Sequence, residues 1–456
     1  MTPIGKGESA NPRLVASARP VLGLAAAMCL LGGAAAHGGA ARHGEETQVN
    51  TVTTGGQAES AVATDAQGGF VVVWTSYAEA GVDADGGSIQ ARRFDRHGTP
   101  AGDDFLVNSA TTLDQFRPRI AMRPGGEFVV AWSSYAHPAD DLDDSAVAVR
   151  SFDASGTPAG VELEVNTVTS GVQRFPDVAV DPVTGNFVVV WEDLYDYSIR
   201  ARHYSADGQP VGAPYAVNDE GSESKADARV GALGDDRFLV VWEMFNPEGD
   251  LAWGIQARRL AAGAIDGAQF QVNTYTTGNQ DDPVVAAGND GVAVVAWSSE
   301  GSAGTDTDGT SIQARFFGAA GPLGDQFQVN DETTGNQPGA QVGVDARGNF
   351  VVAWHSSASS GTDTSEMSVQ ARQFRAGGEP VDSQFQVNTT TTGQQARPAV
   401  AVEPRGDFVV TWDSYASGGT DVDGASVQVQ RYDDVFRDDF EAGDWLRWSS
   451  VLAGSQ

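Results

Sequence analysis

The chain has 456 residues, and its 61 acidic against 28 basic side chains give a formal net charge of -33. Such a field repels phosphates, which excludes nucleic acids and anionic membrane surfaces as partners. The single cysteine, Cys29, lies in an amino-terminal segment that we expect to be removed, so a disulfide framework is excluded as well.

The first 36 residues have the composition of a Sec-type signal peptide. Basic residues precede an almost wholly apolar stretch over 21–33, and three consecutive alanines end at Ala36, where signal peptidase needs small residues. The apolar stretch is shorter than the roughly 20 residues of a membrane-spanning helix, and no later segment approaches that length. We therefore expect an exported protein without membrane insertion, periplasmic or extracellular, that is cut before His37 and continues through a linker over 37–45.

Residues 46–433 contain seven copies of one repeat, 52 to 58 residues apart. Each copy has an apolar segment that ends in tryptophan, at Trp74, Trp132, Trp191, Trp242, Trp297, Trp354 and Trp412. Each period is also marked by a Val-Asn pair, with its asparagine at Asn50, Asn108, Asn166, Asn218, Asn273, Asn330 or Asn388. A strand that is apolar on both faces, such as Phe70–Trp74, is typical of a sheet packed between two other sheets. The period therefore indicates one continuous body built from similar units.

The last full copy contains four segments of strand composition, at 385–388, 398–402, 408–412 and 426–432. Four strands per unit is the number in a propeller blade, and Gly and Asp mark the joins between the strands. The seventh copy stops after its third strand, whereas the chain begins with an additional fourth strand over 47–50. We therefore predict an all-β fold, a seven-bladed β-propeller of four-stranded antiparallel blades, in which residues 47–50 pair with 428–430 and close the ring. A β-solenoid and a string of separate sandwiches are the alternatives.

The repeat resembles known propeller blades. Its order of elements, PxVAxD, then FVVVW, then IQARRFD, resembles the blades of NHL-repeat propellers, and its pattern GNFVVxW…ARxFD…FxVN resembles the units of large secreted bacterial proteins. The resemblance covers residues 46–433. It implies that the PxVAxD strand lies next to the propeller axis, and it implies no activity.

Asp-rich loops between the second and third strands are candidate calcium sites. Three copies carry Asp-x-Asp-Gly, with carboxylates at Asp83, Asp85, Asp306, Asp308, Asp421 and Asp423. Calcium takes about six to eight oxygen ligands, so each pair needs further oxygens from water, backbone carbonyls or the TTGxQ segments expected on the same face. The loops resemble part of the DxDxDG loops of FG-GAP blades. The alternative is a surface turn without metal, because Asp and Gly favour hairpins for local reasons.

Aromatic side chains follow several of the apolar strands. Tyr77, Tyr135 and Tyr415 lie three residues beyond the tryptophans of their repeats, and Trp253 occupies the same region of the fourth repeat. Aromatic rings stack on the apolar faces of sugars, so these four side chains are candidate ligand-binding residues. The alternative is that they cover the ends of the blades.

Six copies place an arginine in the third strand, at Arg92, Arg150, Arg202, Arg258, Arg315 and Arg372. Sialidases use an arginine cluster in their central cavity, but the third strand of a blade lies far from the axis. We therefore expect these guanidinium groups to bind carboxylates or carbonyls of the neighbouring blade.

The sequence offers little support for nucleophilic catalysis. No GxSxG element occurs, and His97, His137, His203 and His355 match no metal-binding spacing. The tail over 434–456 leaves the repeat and contains FEAGDWLRWS, which resembles an element at the carboxyl termini of some secreted bacterial proteins.

These observations favour an exported, monomeric, non-enzymatic binding or scaffold protein. We expect its Asp-rich face, organised by calcium, to contact a glycan or an extracellular protein. The alternative is a carbohydrate-active enzyme, a glycosidase or a lyase, with its site in the central cavity, because catalytic groups there converge from separate blades and leave no local motif. A surface-layer component that self-associates is a third hypothesis.

Overall fold

A computed structural model describes residues 41–78, 86–135, 145–221, 223–245, 251–288, 290–302, 304–358, 360–415, 421 and 424–434. All of them belong to one compact unit, Gly38–Gln456, and the other unit, Met1–His37, lies outside them. The predicted signal peptide and the tail beyond Asp434 are therefore outside the described residues. In the described part, no helix has the length and apolar character that crossing a membrane requires.

The described residues form 29 β-strands. The strands as far as residue 216 are, in chain order, β1 (Arg42–Gln48), β2 (Gln57–Thr64), β3 (Phe70–Ser76), β4 (Ser88–Phe94), β5 (Phe105–Leu106), β6 (Gln115–Met122), β7 (Phe128–Ser134), β8 (Ala146–Phe152), β9 (Leu163–Glu164), β10 (Gln173–Val180), β11 (Phe187–Asp193), β12 (Ser198–Tyr204) and β13 (Pro210–Ala216). The later strands are β14 (Lys225–Gly234), β15 (Arg237–Phe245), β16 (Trp253–Ala261), β17 (Ala264–Gln271), β18 (Gln280–Ala287), β19 (Ala293–Glu300), β20 (Thr310–Gly318), β21 (Gly321–Pro322), β22 (Phe327–Gln328), β23 (Gln341–Val344), β24 (Phe350–Ser356), β25 (Ser368–Phe374), β26 (Phe385–Gln386), β27 (Gln395–Val402), β28 (Phe408–Ser414) and β29 (Ser426–Tyr432).

Six blades are antiparallel sheets of consecutive strands, and the seventh combines β27, β28 and β29 with β1. The seven sheets have the orders β2-β3-β4-β5, β6-β7-β8-β9, β10-β11-β12-β13, β14-β15-β16-β17, β18-β19-β20-β21 with β22 also on β20, β23-β24-β25-β26, and β27-β28-β29-β1. The first strands of the blades contact one another in a closed ring, from β2 through β6, β10, β14, β18 and β23 to β27 and back to β2. They are therefore the innermost strands. The predicted all-β, seven-bladed propeller is confirmed, while the finer resemblance to NHL-repeat and FG-GAP blades stays a prediction.

The amino-terminal strand completes the last blade, as the repeat pattern predicted. β1 pairs antiparallel with β29 in a register that places Thr47 opposite Val429 and Gln48 opposite Gln428. The strand begins at Arg42, inside the segment predicted as linker, because the pairing continues to Arg42 opposite Tyr432. The ring therefore has no open sheet edge between its first and last blades.

Hydrophobic packing joins each blade to the next. The seven repeat tryptophans are at most 1% exposed. Between the first two blades, Val71 and Val73 of β3 pack with Phe128 and Trp132 of β7. Because a repeat array buries its core between neighbours, each blade depends on the blades on both of its sides.

Polar contacts of the Val-Asn pairs reinforce these interfaces. The asparagine Oδ1 accepts a hydrogen bond from a third-strand amide of the same blade in all seven copies, at 2.8 to 3.0 Å. The valine carbonyl of six pairs accepts a hydrogen bond at 2.6 to 2.9 Å from the third-strand arginine of the adjacent blade, Arg92, Arg150, Arg202, Arg258, Arg315 or Arg372. The structural role predicted for these arginines is confirmed.

Candidate functional site

In two of the Asp-x-Asp-Gly loops the first aspartate is described, and its carboxylate is buried inside the fold. Asp306 is 1% exposed and accepts a hydrogen bond from Asn330 Nδ2 at 2.7 Å, and burial raises its pKa. Asp421 is 2% exposed and accepts a hydrogen bond from Asn50 Nδ2 at 2.9 Å. Asp308 accepts a long hydrogen bond, 3.3 Å from the Gly335 amide. The other carboxylates predicted for calcium lie outside the described residues: Asp83, Asp85 and Asp423. Calcium binding by these six aspartates stays a prediction.

The three candidate tyrosines are half-exposed at equivalent positions of adjacent blades. Tyr77, Tyr135 and Tyr415 are 44 to 46% exposed. Burial, followed by the nearby Glu59 and Asp114 carboxylates, raises the pKa of Tyr77 to about 12, which links this ring to the charges of the propeller axis. The fourth candidate, Trp253, is half-buried and packs edge-on against Phe245. Sugar binding by these aromatic residues stays a prediction.

An axial cavity of about 410 Å³ is lined by side chains from the innermost strands of all seven blades. The third residue of each repeat's innermost segment has a left-handed backbone with φ between 48° and 71°. We call these seven residues, of which all but Phe175 line the cavity, the bulge ring: Glu59, Arg117, Phe175, Asp227, Asp282, Gly339 and Arg397. In six blades the register of the innermost strand shifts at this point, as a β-bulge requires. Six of the seven residues are not glycine, although a left-handed backbone is unfavourable for other residues. Strain of this kind persists where the surroundings enforce it, and it is frequent at functional sites.

In six blades, the residue that follows the repeat tryptophan holds the bulge of the adjacent blade in place. Its side-chain oxygen accepts a hydrogen bond, at 2.5 to 3.1 Å, from the bulge-ring amide of the adjacent blade; these six acceptors are Thr75, Ser133, Glu192, Glu243, Ser298 and Asp413. His355 is the seventh member, and burial followed by Arg397 lowers its pKa to about 4, so its imidazole is neutral at ordinary pH. A Cβ on Gly339 would lie 2.6 Å from His355 Cε1, which explains why this blade alone has glycine in the bulge ring.

The bulge ring predicts an unusual ranking of substitutions at Asp227. The Asp227→Gly variant should be more stable than Asp227→Ala by about 1–2 kcal/mol, because alanine has an unfavourable left-handed backbone and glycine does not. Asp266, an exposed residue of β17 without a positive φ, is the matched control, since glycine there should be less stable than alanine. Denaturant unfolding of the four variants measures both differences. If alanine were more stable than glycine at both position 227 and position 266, the left-handed conformation of Asp227 would be contradicted.

Acidic side chains occupy one side of the cavity. Asp227 and Asp282 come from the bulges of the fourth and fifth blades, and one oxygen of each lies within 4.8 Å of the other and of a Glu243 oxygen. Burial, followed by the Asp227 charge, raises the pKa of Asp282, and the same causes raise the pKa of Glu243 to about 9. At neutral pH Glu243 is therefore protonated, which limits the repulsion within the cluster. Since the Glu243 oxygen already binds the Asp282 amide, the cluster by itself does not establish a metal site.

The buried carboxyl groups behind the bulge ring predict a stability that falls as pH rises. Burial raises the pKa of Asp413 to about 7, against 3.8 as its ordinary value, and the pKa of Glu243 rises from 4.5 to about 9. Between these limits the unfolded chain binds fewer protons than the folded chain, so rising pH favours unfolding. The stability of Glu243→Gln relative to the unsubstituted protein should therefore increase between about pH 5 and pH 9, because glutamine keeps the acceptor oxygen and does not titrate. Denaturant midpoints across this range test the sign, and a difference independent of pH would contradict the raised pKa.

Arginines occupy the opposite side of the cavity. Arg397 and Arg117 belong to the seventh and second blades, and in a seven-membered ring these flank the point opposite the fourth and fifth blades. The Arg117 guanidinium lies 3.8 Å from the Phe175 ring centroid. Deeper in the cavity, burial raises the pKa of Asp177, and the nearby Arg229 and Arg119 oppose that shift. We call the side of Asp227 and Asp282 the acidic wall and the side of Arg117 and Arg397 the basic wall. The basic wall also contains the Glu59 carboxylate of the first blade, which pairs with Arg117.

Known structures similar to this chain share its propeller fold. No family model and no curated protein matches it. A protein of unknown function from Dyadobacter fermentans DSM 18053 is 11% identical over 86% of this chain and 98% of that chain, with a TM-score of 0.46. The α-L-arabinofuranosidase of Fusarium graminearum, solved with arabinobiose, is 11% identical over 68% of this chain and 91% of that chain, with a TM-score of 0.45. The Penicillium chrysogenum α-L-arabinanase, also solved with arabinobiose, is 13% identical over 68% and 92%, with a TM-score of 0.43. Likeness at this level shows the propeller fold alone.

The expectation of a non-enzymatic binding or scaffold protein is corrected by these findings. Similar structures with a stated carbohydrate ligand are an arabinofuranosidase and an arabinanase, which are enzymes. On the Asp-rich face, moreover, the carboxylates of Asp306 and Asp421 are buried and bonded to asparagines.

No pattern in the sequence indicates the residues that line this cavity. The bulge ring varies from acidic to basic to aromatic, so no motif marks it, although proline follows it in four repeats, at Pro118, Pro176, Pro283 and Pro398. The residue after each tryptophan has a more regular pattern. It can accept a hydrogen bond in all seven repeats, directly after a run of apolar residues.

Proposed function

We propose that the protein is a glycoside hydrolase whose active site is the axial cavity. The observation that carries this proposal is the pair formed by Asp227 and Asp282, which two strained bulges direct into one cavity with oxygens within 4.8 Å. Two carboxyl groups flanking a glycosidic bond are the usual equipment of glycoside hydrolysis. The cavity volume of about 410 Å³ falls in the range of small-molecule sites.

The environments of the two carboxyl groups suggest their roles. Burial and the Asp227 charge raise the pKa of Asp282, so Asp282 is the group suited to carry the proton that the leaving oxygen needs. Asp227 is the carboxylate partner that bonds to the anomeric carbon as the bond to the leaving oxygen breaks. Water then adds to that carbon and releases Asp227, and its proton returns to Asp282. Glu243 is a positioning residue, since it holds the Asp282 amide at 2.5 Å.

Hydrolysis of a glycan panel tests the proposal. The protein should release new reducing ends from at least one neutral or acidic polysaccharide, and Asp227→Asn should abolish the release. Asp266→Asn, on the outer strand β17 of the same blade, is the matched control and should keep full activity. Activity that survives Asp227→Asn would locate the chemistry elsewhere, and inactivity on every glycan would refute the proposal.

The spacing of the carboxyl groups predicts the stereochemistry. Retaining glycosidases separate their two carboxyl groups by about 5 Å, whereas inverting enzymes leave about 6.5–9.5 Å for a water molecule. Because oxygens of Asp227 and Asp282 lie within 4.8 Å, we expect the product to keep the anomeric configuration of the substrate. Proton NMR of the first product anomer measures this outcome. Inversion would show that Asp227 acts on water instead of on the sugar.

A further inference from the structure

Two arginines of the bulge ring differ from the third-strand arginines because neither binds a backbone carbonyl of the described part of the chain, although the Arg117 guanidinium lies over the Phe175 ring. Arg117 has one ion pair, from Nε to a Glu59 oxygen at 3.4 Å, and its side chain is 40% exposed. Arg397 has one ion pair, from Nη1 to an Asp413 oxygen at 3.6 Å, and its side chain is 54% exposed. Within the described residues, neither guanidinium donates a hydrogen bond. Each therefore keeps most of its five N–H donors available at the cavity wall.

Arg117 and Arg397 do not have the structural role of the third-strand arginines. Arg315 and its equivalents each bind a valine carbonyl of the adjacent blade, at 2.6 to 2.9 Å, and thereby hold the blades together. Arg117 and Arg397 make no such contact, and they line the cavity. Their position cannot be attributed to long-range steering either, because the whole chain carries a net charge of -33 and repels anions. Their remaining N–H groups are suited to local recognition of an anionic group.

We propose that the axial cavity binds an acidic glycan, through contacts of Arg117 and Arg397 with the carboxylate of a uronic acid unit. This inference rests on the proposed function, because it assumes that the glycosidic bond lies at Asp227 and Asp282. Guanidinium groups bind carboxylates through paired, charge-assisted hydrogen bonds. With the arginines opposite Asp227 and Asp282, a uronate that spans the cavity places its carboxylate on the basic wall and its glycosidic bond on the acidic wall.

Two further arginines, Arg119 and Arg229, also line the cavity. Arg119 and Arg229 lie on either side of Asp177 along the ring of blades, and burial followed by Arg229 lowers the pKa of Arg119 to about 10. The Arg119 and Arg229 guanidiniums each donate to a carbonyl of the preceding residue, at 3.0 Å. Part of their hydrogen-bonding capacity is therefore used within the protein. For this reason we assign the ligand contact to Arg117 and Arg397.

Binding measurements separate this inference from the hydrolysis proposal. Titration calorimetry of the Asp282→Asn variant with an oligogalacturonate probe should show binding, and the carboxyl-reduced form of the same oligosaccharide should bind about tenfold more weakly or worse. Adding Arg117→Gln or Arg397→Gln should remove that preference. Arg96→Gln, an exposed arginine outside the cavity, should leave the affinity unchanged. Thermal unfolding of each variant confirms that it is folded.

The outcomes are distinguishable. Equal binding of the acidic and reduced probes, or hydrolysis of neutral glycans that is insensitive to both arginine substitutions, would overturn the inference and leave the hydrolase standing. Arginine-dependent binding of the acidic probe without new reducing ends would support the inference and refute the hydrolase. An unsaturated uronate product would support the ligand class and replace hydrolysis by elimination. Preference for a sulfated neutral glycan over the uronate would overturn the carboxylate assignment.

Discussion

The Asp282→Asn variant should lose hydrolysis by about 10²–10⁴-fold in kcat on a natural glycan, the range that a general acid contributes. Asparagine has nearly the shape of aspartate and leaves the bonded amide of residue 282 and the Glu243 contact in place. The loss should therefore be chemical, with the variant at least as stable at neutral pH as the starting protein, because asparagine replaces a carboxyl group whose pKa is raised by burial. Steady-state kinetics and a denaturant curve on the same preparation measure both quantities.

Leaving groups of different acidity supply the control for this prediction. An aryl glycoside with an acidic phenol departs without protonation, so the Asp282→Asn variant should regain most of its activity on such a substrate. Asp227→Asn should remain inactive on both substrates, because its role does not depend on the leaving group. Equal losses for Asp282→Asn on both substrates would contradict its assignment as the acid.

Removal of the closing strand should destabilise the propeller by about 3–6 kcal/mol, which approaches the whole stability of an ordinary domain. The lost contribution combines burial of Val49, which is 0% exposed, with the paired hydrogen bonds of Asn50 to the Val427 amide and the Asp421 carboxylate. A chain that begins after Asn50 should therefore unfold at much lower denaturant concentration, or associate through the exposed edge of β29.

A synthetic peptide of residues 41–50 provides the matched test of that prediction. Added in excess, it should pair with β29 and restore much of the midpoint, because strand addition to an open sheet edge is a known mode of binding. The same peptide with Val49→Asp should not. Unchanged stability of the shortened chain would show that the seventh blade does not depend on β1.

The sequence predicted those parts of the fold that depend on local composition and period. The tryptophan-terminated strands could be counted, and the additional strand over 47–50 indicated closure because a blade without a fourth strand leaves an open edge. The third-strand arginines could also be interpreted, since a fixed side chain at a fixed position in six repeats indicates a shared contact.

The functional site could not be predicted in the same way. Asp227 and Asp282 are 55 residues apart in the sequence, and they meet only because both occupy the bulge of an innermost strand. The Asp-x-Asp-Gly motif is easily recognised in the sequence, but its first aspartate has a structural contact. Asp306 and Asp421 bind asparagines of the Val-Asn pairs. In this protein, the recurring first aspartate of the motif contributes to the architecture, whereas the varied residues of the bulge ring, Phe175 excepted, line the axial cavity.

The central claim is that the ligand occupies the axial cavity, and the most direct test is a crystal structure of the Asp282→Asn variant with a glycan that the unsubstituted protein cleaves. We expect the sugar between the arginines Arg117 and Arg397 on one side and Asp227 on the other, with its glycosidic oxygen next to residue 282. A sugar bound on the Asp-rich face beside Asp308, with none in the axial cavity, would contradict the account.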